Sequence, residues 1–209
     1  MRGDAGPIVL PSASGYVVLQ KAAEPLPQDA GAVLLSLARA AIAGELGIVQ
    51  SATDELPWLK QHGACFITVT EGSNLRGCIG TLRPHRTLVE DVKANAVAAA
   101  FRDPRFKPLT CEEFGVVSLE ISVLSALEPL GFTDEQDALR QLRVGVDGVV
   151  FEYGHHTSTF LPQVWDSFKE PAEFLGHLKY KAGLPPDFWD HAVKLMRYTV
   201  TKWREQDTA

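Results

Sequence analysis

Two apolar β-type runs separated by four turn-forming residues constrain this chain most. Ala64–Thr70 and Leu75–Leu82 are joined by Glu71-Gly72-Ser73-Asn74, a linker with the length and residue types of a hairpin loop. A hairpin makes its two strands antiparallel. Further along, Val117, Leu119, Ile121 and Val123 alternate with Ser118, Glu120 and Ser122. That period belongs to a strand with one face on a core and the other open.

Helices are interspersed with these strands. Asp29 is the expected N-cap of a first helix in which Val33, Leu34, Leu37, Ala38, Ala41 and Ile42 recur at helical spacing until Gly47. Thr87 with Glu90 has capping-box spacing for a second helix through Val89, Val92, Ala96, Val97 and Ala100, and Thr110 with Glu113 repeats it for one short turn. Between them, the two prolines of Asp103-Pro104-Arg105-Phe106-Lys107-Pro108 exclude regular helix and leave an ordered loop. Thr133 and Gln136 open another capped helix ending near Leu142. Val149–Tyr153 and Thr159–Leu161 read as strands around Gly154-His155-His156-Thr157. Pro171 occupies a first helical position before Phe174, Leu175 and Leu178, and Gly183 closes that helix. A short helix over Phe188–Val193 and a last strand over Leu195–Trp203 complete the pattern. The expectation is an α+β fold with an antiparallel sheet and helices packed on it. Residues 1–27, rich in Gly, Ala, Pro and Ser, form a mobile arm before a domain over 28–205.

The 209 residues carry a formal charge of −6 and a pI near 5.5. A phosphate-binding surface needs clustered Lys and Arg, so no nucleic-acid partner is expected. Neither a signal-peptide core at the start nor a run of about 18 apolar residues is present, so no membrane partner is expected. Cys65, Cys78 and Cys111 are an odd set without metal-knuckle spacing, which fits free thiols in a reducing cytoplasm. No Walker, GxGxxG or GxSxG pattern occurs. No metal is expected at His155-His156, because neighbouring residues on a strand point to opposite faces and no further ligand spacing accompanies them.

Four segments together resemble one family. Leu75-Arg76-Gly77-Cys78-Ile79-Gly80 is the LRGCIG hexapeptide of the AMMECR domain. Asp103-Pro104-Arg105-Phe106 is similar to its DPRF loop, Glu120–Ser125 to its EISVLS strand, and Thr159–Trp165 to its TFLPQVW segment. The resemblance extends over about residues 29–205 and is specific to the type called AmmeMemoRadiSam system protein A. It implies an α+β fold with a larger and a smaller lobe. It also implies Memo-type and radical SAM partner proteins and brings no settled reaction. No cofactor is expected, and the chain has no closely spaced three-cysteine cluster for an iron–sulfur centre.

Alternation puts Arg76, Cys78 and Gly80 on one strand face, unless a bulge breaks the phase. Arg76 and Cys78 are then about 7 Å apart at the backbone, near enough for the guanidinium to favour a thiolate. Gly77 and Gly80 clear the space around Cys78 for a ligand or another backbone. A reactive Cys78 and a packed one are both open readings. Arg105, in a rigid loop, is aimed at a ligand or at an acid such as Glu120. Glu120, on the polar face of its strand, is a general-base candidate or a solvated residue. His155 is a proton-carrier candidate and Gln163 a pocket-edge donor and acceptor. Two functions follow: a component of a small-molecule modification system using Cys78, or a non-catalytic ligand-binding or adaptor domain.

Overall fold

The computed structural model describes residues 9–10, 17–18, 26–168 and 170–205. The arm expected over residues 1–27 lies outside these except for residues 26–27 and a two-residue antiparallel pair, β1 (Val9–Leu10) and β2 (Val17–Val18). In chain order the remaining elements begin with α1 (Ala30–Glu45), β3 (Cys65–Glu71), β4 (Asn74–Gly80), α2 (Leu88–Phe101), α3 (Cys111–Phe114) and β5 (Val117–Leu124). They continue with β6 (Glu128–Pro129), α4 (Glu135–Gln141), β7 (Gly148–Tyr153), β8 (His156–Phe160), α5 (Pro171–Lys181), β9 (Lys194–Tyr198) and β10 (Val200–Arg204). The fold is α+β, with two four-stranded antiparallel sheets ordered β10-β5-β3-β4 and β6-β9-β7-β8.

The larger lobe has α1 and α2 on one face of the first sheet. Leu34, Leu37 and Ile42 of α1 and Val92, Ala96 and Ala99 of α2 close on Ile67, Val69, Leu119 and Ile121, all fully or almost fully buried. The α2 backbone lies directly on β4: a Cβ at Gly77 would stand 2.0 Å from the Ala99 carbonyl oxygen. A polar seam lies at the other end of α2, against the start of β3 and the residue after β4. The fully buried Asp91 carboxylate accepts from the Cys65 N–H at 2.8 Å, the Thr81 hydroxyl at 2.8 Å and Arg86 Nε at 2.8 Å. Every oxygen of this buried group is thereby satisfied. Burial, and next the Asp91 charge, push the Cys65 thiol up.

The smaller lobe is inserted between β5 and β10. Its core is built on Trp165, which stacks on Phe174 with centroids 3.7 Å apart and donates Nε1–H to the Asp147 carbonyl at 2.7 Å. The two sheets share a bent two-stranded ribbon, since β5 continues into β6 while its partner β9 continues into β10. At the bend Ser125 N–H donates to the Thr199 carbonyl, and Thr199 N–H donates to Ser125 Oγ, both at 2.9 Å. The last strand expected over Leu195–Trp203 is therefore two strands, one in each sheet, divided at Thr199.

Other departures are local. No helix forms over Phe188–Val193; that stretch is a pair of turns, closed by Phe188 N–H to Pro185 O and Val193 N–H to Asp190 O. Asp29 precedes α1 without a side-chain cap; its backbone, at φ −89° and ψ 3°, is not in the extended conformation a capping residue takes. Asp134, not Thr133, caps α4. Both expected capping boxes, at Thr87 and Thr110, are formed.

Gly77→Ala should cost at least about 2 kcal/mol, because helix backbone rather than a flexible side chain fills the space. Gly44→Ala, in α1 with nothing within 4 Å of its Cβ position, should stabilise by about 0.5–1 kcal/mol. Urea unfolding of the two variants checks the contrast; comparable effects would exclude the backbone contact as the reason for Gly77.

Candidate functional site

Residue parity in the first sheet decides which side chains meet. Ile67, Val69, Leu119 and Ile121 point into the helical core, so Thr68, Thr70, Ser118, Glu120 and Ser122 point to the opposite, polar face. On that face Cys78 pairs with Thr68, Thr68 with Glu120, and Glu120 with Arg204, making one row across four strands. Each step is about 5 Å, which puts the Cys78 and Glu120 Cα atoms about 10 Å apart. The Thr68 hydroxyl donates to Cys78 Sγ at 3.4 Å. Glu120 is half-buried and ion-pairs with Lys202 at 3.1 Å and with Arg204. Phe66, Leu124 and Val200, at the bend end of this face, pack against Val150, Met196 and Tyr198 of the smaller lobe. The second sheet thus forms a wall at one end of the polar floor.

Cys78 lies on β4, an edge strand, and its peptide is held from outside the sheet. Its N–H donates to Asp103 Oδ2 at 2.9 Å, and its carbonyl accepts from Arg105 Nη2 at 3.3 Å. Asp103 and Arg105 are joined to each other by bonds of 2.6 and 2.9 Å. The side chains of one loop therefore supply the acceptor and donor that a fifth strand would have offered. Arg105, with the Cys78 and Arg105 backbone N–H groups, holds the Asp103 carboxyl well below the usual carboxylate range. Arg105 is correspondingly raised, first by its hydrogen bond to Asp103.

The other expected residues divide. Arg76 does not share the Cys78 environment, because a bulge opposite Val69 and Thr70 breaks the alternation. It runs instead to Glu113 on α3, with Nε–Oε1 2.8 Å and Nη2–Oε2 3.1 Å, and its guanidinium lies 5.9 Å from the Phe106 ring centroid. The guanidinium at Cys78 is that of Arg105. The acid Arg105 meets is Asp103 and not Glu120. The space freed by Gly77 is filled by the Ala99 carbonyl, and that freed by Gly80 by the Phe66 ring. His155 is exposed at the β7–β8 turn, its ring 4.2 Å from that of His156, and Gln163 is exposed in the turn over Pro162–Ser167. Both belong to the smaller lobe, and the Cys78 row contains no histidine. Thr68, Asp103, Lys202 and Arg204 are the site residues not anticipated. The polar positions alternating with Ile67, Val69 and Trp203 were a signal for three of them, but pairing register was needed to bring them to Cys78.

Among the described residues no group of three or more His, Cys, Asp or Glu is arranged to hold a metal. None of their helices is long and apolar enough to cross a membrane.

A family model described as AMMECR1 matches residues 35–203. The chain belongs to the AMMECR1 family. A protein of Methanothermobacter thermautotrophicus is 37% identical over 190 residues, which are 87% of this chain and 97% of that one. Protein MJ0810 of Methanocaldococcus jannaschii is 34% identical over 189 residues, 86% of this chain and 92% of that one. The crystal structure of the uncharacterized protein PH0010 from Pyrococcus horikoshii is similar at a TM-score of 0.73 and 34% identity, covering 84% of this chain and 91% of that chain. The matched region contains every row residue except Arg204, one position beyond it, together with the loop that clamps Cys78.

The Arg76–Glu113 pair gives the fold's stability a pH dependence. The Arg76 hydrogen bond, with the Thr110 N–H next, lowers Glu113 from 4.5 to about 2. A depressed carboxyl contributes stability that is present above pH 4.5 and is lost as pH falls through 2. The depressed Asp103 acts in the same direction. Glu113→Gln should therefore lower stability at pH 7 and flatten the decline between pH 4.5 and 2, measured by urea midpoints. Parallel profiles for variant and parent would remove the pair from the account.

Proposed function

We propose that this chain is a cytoplasmic component of a small-molecule modification system, with Cys78 as its reacting thiol. The observation that carries the reading is the way Cys78 is held. Its N–H and its carbonyl are both fixed by the Asp103–Arg105 pair, while its sulfur is turned to the polar face and touched by the Thr68 hydroxyl. A thiol kept only for packing needs neither the clamp nor the polar surroundings; a core position such as that of Cys65 serves.

The chemistry this arrangement suits is addition to a carbonyl carbon. The S–C bond forms, the C=O π pair moves to oxygen, and that oxygen takes up a proton as the thiol gives one up, so no co-reactant is needed. Glu120 lies too far along the row to take the thiol proton directly, which leaves it a substrate-holding role. The AmmeMemoRadiSam protein A type, with Memo-type and radical SAM proteins as partners, is the setting the resemblance implies. In it this chain would present the substrate while the partners carry the remaining chemistry. The alternative, a non-catalytic ligand-binding or adaptor domain, draws on one observation: Glu120 is already neutralised by Lys202 and Arg204, as in a recognition surface.

Iodoacetamide labelling of native protein, resolved by peptide mass spectrometry, separates these readings. Cys78 should be modified faster than the more exposed Cys111, with Cys65 inert until denaturant is added. Slower reaction at Cys78 than at Cys111, or reaction only in denaturant, would hand the face to the recognition reading.

A further inference from the structure

Two threonines of β3 stand on the polar face, and their hydroxyls are used differently. Thr70 Oγ1 donates across the ladder to the Ser118 carbonyl of β5 at 3.4 Å. Thr68 Oγ1 turns to the other neighbouring strand and meets Cys78 Sγ at 3.4 Å. The sulfur and this hydroxyl are each other's side-chain hydrogen-bond partners among the described residues. Threonine is common on sheets for its shape alone, but shape does not require its hydroxyl to meet a sulfur.

Both members of the pair are held in place. β3 is an interior strand, paired with β4 on one side and β5 on the other. A β-branched side chain on such a strand has few χ1 positions open to it. Cys78 is fixed at its peptide by Asp103 and Arg105. The half-buried Thr68 is thus kept beside the sulfur by the backbone of both strands.

Addition of Cys78 to a carbonyl carbon needs a proton taken from sulfur and a proton given to oxygen. The charged groups near the row suit neither step. Asp103 is held well below the usual carboxylate range, first by its hydrogen bond from Arg105, which makes it a poor base. Glu120 is engaged by Lys202 and Arg204, two strand spacings from the sulfur. A hydroxyl, by contrast, is one donor and two acceptor sites, and it rotates about its C–O bond. The contact Thr68 makes as a donor can be made as the acceptor of the thiol S–H.

We propose that Thr68 is a catalytic residue, the proton relay of this site. As the S–C bond forms, the thiol proton passes from Sγ to Thr68 Oγ1. The C=O π pair moves to the substrate oxygen, and the Thr68 hydroxyl proton passes to that oxygen. Sulfur, carbon, the two oxygens and the two moving protons close a six-membered ring, and Thr68 ends with one proton, as it began. The inference rests on the reading of Cys78 as the reacting thiol. It narrows the substrate to an aldehyde or ketone whose oxygen lies over β3 while its carbon meets the sulfur.

The test uses the full chain carrying Cys111→Ser, so that Cys78 is the one thiol not buried, and two probes. Propanal adds through its carbonyl and needs a proton on oxygen. Iodoacetamide forms an S–C bond, loses iodide and needs none. A short pulse of methyl methanethiosulfonate after each interval with propanal, read by peptide mass spectrometry, measures the Cys78 still free. Thr68→Val should slow propanal addition at least about tenfold. It should slow iodoacetamide labelling about threefold or less, the effect of losing one weak hydrogen bond. Thr68→Ser, which keeps the hydroxyl, should leave the ratio of the two rates near that of the parent. Thr68→Val slowing propanal no more than iodoacetamide overturns the relay and leaves the thiol reading standing. A serine variant as slow with propanal as the valine variant overturns the relay too, because the loss then follows shape and not the hydroxyl. A Cys78 labelled by iodoacetamide but untouched by propanal does the same. A Cys78 inert to both probes overturns the thiol reading and this inference with it.

Discussion

An edge strand exposes unpaired N–H and C=O groups, and such an edge must be covered or it recruits another strand. In this chain the edge of the first sheet is closed at Cys78 by the carboxylate of Asp103 and the guanidinium of Arg105, which pair with each other and with the two backbone groups of that residue. The prolines on either side of Arg105 give the loop the stiffness this needs. Much follows from the contact. It ends the sheet without a fifth strand. It also fixes the backbone of β4 at the one residue whose side chain carries a sulfur to the polar face.

The second determinant is the bent ribbon. Because β5–β6 and β9–β10 run through both sheets, the smaller lobe is held to the larger by two adjacent strands and the Ser125–Thr199 bonds between them. The Arg83–Glu152 ion pair adds a contact between the lobes away from the bend. The bend sets the second sheet against one end of the polar face and leaves the rest of it open. A flat continuation of the same strands would have produced one long sheet with no concave side.

Local rules made much of this legible in advance. The hairpin, the alternating strand at Val117–Val123 and the two capping boxes depend on residues close in sequence, and all four are formed. The division at Thr199 was not legible, since Leu195–Trp203 has unbroken β-type composition and only the distant Ser125 shows where the ladder changes sheets. The candidate site shows the same limit. Cys78 and Glu120 stand 42 positions apart in the sequence and share a row, which follows from strand pairing that no spacing encodes. Arg76 was assigned to the Cys78 face by strict alternation, and one extra residue in β4 turned it to Glu113. The role of Asp103 is not visible in its loop, because it depends on reaching a strand 25 residues away.

The clamp at Cys78 is measured most directly by amide hydrogen exchange of that residue. An N–H on the outer edge of a sheet exchanges readily when only water covers it. The Cys78 amide should instead exchange as slowly as the interior ladder amides of β3, and Asp103→Ala should release it while leaving those interior amides protected. Rapid exchange of the Cys78 amide in the unaltered protein would contradict the account.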